Sequence, residues 1–227
     1  MSTASISPHG GTPQRAAPPD GSGWAAPPAP GSPSIAGARG TGLWVFIGVV
    51  SMLFFLFSVA YLMRMAAGDW VVLPSPPWQL WASTALLAFA SVLWQSAARS
   101  AATAESMALS PTGRPHAPNG VLVGAACLAS LAFLATQLWG WQAMRAGYPA
   151  AANPSNSFFY LLTGLHGVHV IGGLLAAGLV WLRARGREAI ALCARYWHFL
   201  LVLWLALFGL LFLVTPERVQ IICNSIL

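Results

Sequence analysis

Charge is what this chain has least of. Only 7% of its 227 residues are Asp, Glu, Lys or Arg, against 57% hydrophobic, whereas a soluble domain is charged at about a quarter of its positions. Eleven cations and five acids are too few to cover a 23.9 kDa globule, so lipid must be the solvent for most of the chain. Lysine is missing altogether, and all 11 cations are arginine. The net charge of +6 and pI near 10.1 would suggest nucleic acid in a soluble protein. Here the arginines lie between apolar runs, which points to orientation in a membrane and to no nucleic-acid partner. The five acids, Asp20, Asp69, Glu105, Glu188 and Glu217, all fall outside the long apolar runs, which excludes a carboxylate chain carrying protons through this polypeptide. Three cysteines, Cys127, Cys193 and Cys223, with no CxxC support neither a disulfide framework nor a zinc site. A phosphate loop, a dinucleotide fingerprint and a nucleophile elbow are absent too.

What the chain does have is apolar length. Runs at 42–63, 78–98, 120–143, 158–182 and 196–214 each reach the ~20 residues that cross a bilayer as helix. The segments between them carry turn chemistry, such as Pro74-Ser75-Pro76-Pro77, Pro118-Asn119-Gly120 and Asn153-Pro154-Ser155. The expected fold is an all-α integral membrane bundle of five transmembrane helices over 41–215. A short tail, 216–227, follows. Before the bundle, 29 of the first 40 residues are Pro, Gly, Ser or Ala, which predicts a disordered cytoplasmic tail over 1–40. It is no signal peptide, because the first apolar run starts late and is too long.

Alternating the spans places eight arginines on one side (Arg15, Arg39, Arg99, Arg114, Arg183, Arg185, Arg187, Arg195) and Arg64, Arg145 and Arg218 on the other. That asymmetry sets the N-terminus in the cytoplasm and, with five spans, the C-terminus across the membrane. Trp44, Trp70, Trp78, Trp81, Trp181 and Trp197 sit near span ends, where amphipathic rings favour the headgroup level.

Histidine is the remaining source of chemistry. His166 and His169 share a face of the fourth helix, a spacing compatible with metal or haem ligation. Depth argues against a site shared with His198, because counting 1.5 Å per residue from the cytoplasmic span ends separates His169 and His198 by roughly 16 Å. The competing reading is of neutral imidazoles hydrogen-bonded within the bundle or to a partner subunit. Gly164, Gly167, Gly172, Gly173 and Gly178 on the same helix fit it, since small residues let a neighbouring backbone approach. On that reading Gly167→Leu or Gly172→Leu disrupts assembly, while His169→Gln is milder.

The run SFFYLLTGLHGVHVIGG, Ser157 to Gly173, and the block RYWHFLLVLW, Arg195 to Trp204, resemble subunit III of haem-copper respiratory oxidases. LWVF at Leu43 to Phe46, AYLMR at Ala60 to Arg64 and LWGW at Leu138 to Trp141 complete a similarity running from about 41 to 215. Five helices resemble the short bacterial form of that subunit. The resemblance implies a multi-pass protein of the bacterial inner membrane with no haem or copper of its own, those groups belonging to partner subunits. It would flank the catalytic subunit I, with subunit II in the same complex, hold phospholipid in a cleft, and sustain proton uptake and turnover. The signature positions carried over for packing and hydrogen bonding are Trp44, Phe46, Tyr61, Arg64, Thr163, Gly164, His166, Gly167, His169, Gly172, Tyr196, Trp197 and His198.

This chain departs from the family pattern at two intramembrane acids. Val50 stands where a glutamate is usual, and Leu201 where the last helix usually has an aspartate; an asparagine-threonine pair is altered near Ser83 and Thr84. The alternatives are a subunit III-like component of a quinol oxidase or nitric oxide reductase, or a standalone transporter. The last is disfavoured by the lack of lumen-facing ionisable groups and paired broken helices.

Overall fold

The structure is a computed structural model that describes residues 35–65, 70–71, 73, 75–108, 120–150, 152–183 and 187–214. Five helices occupy them: α1 (Ile35–Met65), α2 (Trp78–Ala108), α3 (Gly120–Gly147), α4 (Pro154–Arg183) and α5 (Arg187–Leu213). All five are long and apolar enough to cross a membrane, and the chain is a multi-pass, all-helical membrane protein.

The helices overrun the apolar runs. Residues 35–40 are already helical, which shortens the tail expected over 1–40. An apolar helix, once nucleated, extends cheaply through Ala36 and Ala38. The rest of that tail, and the tail at 216–227, lie outside the described residues. α2 continues past residue 98 through an alanine-rich stretch, and α5 begins at Arg187, with Glu188 in its first turn as the helix dipole favours. Hydropathy marks the lipid-immersed part of a helix, whereas backbone hydrogen bonding carries the helix into the interface. α4 starts at Pro154, a residue suited to the first helical position. The loop before it is tied down by Asn156 Nδ2 donating to Pro149 O at 3.1 Å and Ser157 Oγ donating to Ala150 O at 2.7 Å.

Packing is led by α2 against α3 and α5, with α4 against α5. Small side chains make this possible: Ser83, Ala90, Ser91 and Ala97 on α2 and Ala126, Ala129, Ser130 and Gly140 on α3 are all buried. A Cβ on Gly140 would already touch Leu80 and Gln79 at 3.5 and 3.6 Å. α1 leans on α4 and α5 by one face, burying Val50, Phe54, Tyr61 and Met65 while Val49, Met52, Phe55 and Leu56 stay exposed, a one-sided stripe of helical period. Ring pairs show the direction of each neighbour. Phe159 meets Phe212 and His166 meets Trp204, so α4 and α5 run antiparallel. Trp81 meets Phe208 while Gln95 meets His198, so α2 and α5 do too.

Candidate functional site

The bundle interior repeats one device three times. An indole N–H donates to a hydroxyl on another helix, and that hydroxyl donates back to the carbonyl four residues earlier on its own helix. Trp204 Nε1 reaches Thr84 Oγ1 at 2.9 Å, and Thr84 donates to Leu80 O at 2.8 Å. Trp197 Nε1 reaches Ser130 Oγ at 2.8 Å, and Ser130 donates to Ala126 O at 2.8 Å. Trp141 Nε1 reaches Thr163 Oγ1 at 3.1 Å, and Thr163 donates to Phe159 O at 2.6 Å. A hydroxyl has one proton and two lone pairs, so each accepts from the indole and donates its own proton, leaving neither group of its relay unpaired. The three links tie α5 to α2, α5 to α3 and α3 to α4. Thr84→Val keeps the shape but strands the Trp204 N–H, and is expected to destabilise the chain by about 1–3 kcal/mol. Adding Trp204→Phe to that variant should be less than additive in a double-mutant cycle of unfolding in detergent.

Eight of the thirteen signature residues fall into two places. Thr163, Gly164 and His166 face the bundle interior. A Cβ on Gly164 would lie 3.1 Å from the Trp141 ring, so the indole depends on a glycine there. His166 is fully buried against Trp204, with ring centroids 5.2 Å apart, and against the edge of Phe133 at 5.9 Å; neither ring nitrogen has a partner among the described residues. Tyr61 packs edge-on to Trp70 and Phe158 at 4.9 and 5.7 Å on the other side of α4. Trp44 is exposed, as is Arg64's neighbour Met63. Arg64 itself closes α1.

The second place is a cleft of about 700 Å³ between α1, α4 and α5, lined among others by Arg39, Phe46, His169, Gly172, Tyr196 and Trp197. Tyr196 OH donates to His169 O at 3.0 Å, clamping α5 to α4. His169 Nδ1 lies 2.7 Å from Leu165 O, and its ring is bracketed by Phe46 and Phe54, with centroids at 6.3 and 5.5 Å. Val50, midway between those phenylalanines and 3% exposed, stands on the same face of α1. Val50 therefore presents an apolar side chain on the side of α1 that meets His169.

Two expectations change. Gly172 has nothing within 4 Å of a Cβ, and Gly167 only Leu134 at 3.8 Å. The tightest approach on α4 is at Gly173, where a Cβ would sit 2.6 Å from Tyr196 Cε1 and 3.2 Å from Trp197 Cη2. Gly172 is turned one helical position away, into the cleft. The reckoned 16 Å between His169 and His198 also fails. Pairing Gly173 with Tyr196 and His166 with Trp204 places the two histidines within about one helical turn in depth. Direction separates them instead. His198 faces outward and is held by Ser91 and by Gln95 Oε1, the latter at 3.0 Å, while His169 faces α1. No group of three or more His, Cys, Asp or Glu that could hold a metal occurs among the described residues. Ser130, Trp94, Ser91 and Gln95 were not singled out from sequence. The only signal for the hydroxyls is their presence inside otherwise apolar spans.

No protein-family model matches the chain. Curated proteins do. It is 36% identical over 91 residues to cytochrome c oxidase subunit 3 of Thermostichus vulcanus, covering 37% of this chain and 44% of that one. It is 39% identical over 92 residues to cytochrome c oxidase subunit 3 of Synechocystis sp., 36% of this chain and 37% of that one. A probable cytochrome c oxidase subunit 3 of Nocardia farcinica is 33% identical over 75 residues, 30% and 37% of the two chains. The matched segment thus spans less than half the length of these relatives. Their agreement, together with five membrane-crossing helices, supports a divergent likeness to the cytochrome c oxidase subunit III family.

Proposed function

We propose that the chain is an accessory, non-redox subunit of a haem-copper terminal oxidase in the bacterial inner membrane. It packs against the catalytic subunit I, with subunit II in the same complex, and supports assembly and sustained proton uptake. The observation that carries this reading is the subunit III likeness of the relatives, and the use made of the signature residues agrees with it. Thr163, Gly164, Tyr196 and Trp197 hold helices together, which is scaffold work. The arginine asymmetry supports an N-terminus in the cytoplasm. Arg39 then lies at the cytoplasmic mouth of the α1/α4/α5 cleft, placed to meet the phosphate of a phospholipid whose chain lies along the apolar wall.

The test is purification of the tagged chain from its native membrane in mild detergent. A haem-copper subunit I is expected to co-purify, with its haem absorption in proportion to the tagged chain. Recovery of the chain without haem or a large membrane subunit would refute the reading.

A further inference from the structure

We propose that the inner end of the α1/α4/α5 cleft binds a membrane-soluble quinol, whose aromatic hydroxyl donates to His169 Nε2. This rests on reading the cleft as a site for a membrane lipid, and it names a second occupant deeper than any phospholipid phosphate. The argument starts from the imidazole tautomer. Leu165 O can only accept, so the 2.7 Å contact places the proton on His169 Nδ1 and leaves Nε2 as a lone-pair acceptor. Nδ1 is turned back to its own helix, so Nε2 points away from it, toward the cleft that His169 lines. Among the described residues, the hydrogen bond of the His169 ring is the one from Nδ1 to Leu165 O, and none engages Nε2.

A phospholipid does not satisfy it. Arg39 precedes Val50, the α1 residue level with His169, by a rise of about 16 Å. A lipid held by its phosphate at Arg39 would present only acyl methylenes there, and an acceptor facing hydrocarbon is costly. A donor on a flat apolar ring is what the surroundings suit. Phe46 and Phe54 bracket the imidazole, Phe46 also meets Tyr196 with centroids 6.0 Å apart, and Trp197 closes the α5 side. Aromatic walls favour an aromatic guest, and the volume of about 700 Å³ is in the range of small-molecule sites. Val168, Gly172 and Ala176 on the α4 wall are exposed, so the cleft opens sideways to the bilayer and leaves a path for an isoprenoid tail. The inference concerns binding alone, with no electron transfer.

The experiment measures binding of a decyl-tailed hydroquinone, kept reduced, and of its dimethyl ether to the full chain in nanodiscs of zwitterionic phospholipid. The ether keeps ring and tail but cannot donate. The hydroquinone should bind at least about tenfold more tightly, and His169→Phe should bring the ratio to about one. Gly172→Leu, which fills open space at the cleft wall, should weaken hydroquinone binding about tenfold or more, so the test survives a His169 variant that fails to fold. Equal affinities for the two probes, no saturable binding of either, or an unchanged ratio in the folded variants would overturn the proposal. The oxidase reading is judged by co-purification and stands or falls separately.

Discussion

Replacing Gly173 with leucine is expected to abolish recovery of folded chain, whereas the same change one residue earlier, Gly172→Leu, is expected to be nearly silent for stability. At Gly173 even the first added carbon would lie 2.6 Å from Tyr196 Cε1 and 3.1 Å from Cδ1. The tyrosine cannot simply swing clear, because its hydroxyl is bonded to His169 O at 3.0 Å, and the added carbon would also lie 3.2 Å from Trp197 Cη2. Overpacking of this kind costs about 1–3 kcal/mol for small insertions and more when backbone must separate. Gly173→Ala should therefore lower the unfolding midpoint measurably, and leucine should drive α4 off α5. Gly172→Leu meets open space and should stay within about 0.5 kcal/mol. Thermal unfolding in detergent and the monodisperse fraction on size exclusion read both. A silent Gly173→Leu would mean that α4 and α5 do not pack as described.

Trp197→Ala is expected to destabilise the chain by about 3–5 kcal/mol, the range for emptying a buried aromatic site, and Trp197→Phe by distinctly less. Trp197 is fully buried. It stacks on Trp94 with centroids 4.7 Å apart, meets Tyr196 edge-on at 6.0 Å, and donates to Ser130 at 2.8 Å. One side chain thus joins α5 to α2 and α3. Phenylalanine keeps most of the ring contact and gives up one hydrogen bond worth about 1 kcal/mol, with Ser130 still bonded to Ala126 O. Ser130→Ala on its own leaves the indole N–H buried without a partner and should be worse than Trp197→Phe. Chemical unfolding followed by tryptophan fluorescence and circular dichroism ranks the three. If Trp197→Ala behaved like Trp197→Phe, the stack on Trp94 would carry no weight.

The five helices were legible because lipid imposes one requirement on every span, about 20 apolar residues with all backbone groups bonded internally, and a run of letters displays it. Where each helix ends was less legible. Hydropathy falls at the membrane surface while the hydrogen-bond ladder of α2 goes on to Ala108 and that of α5 starts at Arg187.

Which glycine of α4 is pressed by a neighbour was not legible at all. Gly167, Gly172 and Gly173 look alike in sequence, and a rotation of about 100° per residue decides that Gly173 meets Tyr196 while Gly172 faces the cleft. The same holds for the histidines. Sequence alone displayed three imidazoles in or beside two spans and a resemblance to oxidase subunit III around them, with Val50 and Leu201 expected to stand in place of two family acids. Tertiary structure alone decided that His166 is sealed against Trp204, that His198 is held by α2 on the outer face, and that His169 keeps one nitrogen for a cleft. Span existence is a one-dimensional property of solvation, whereas each histidine's role depends on which distant helix packs beside it.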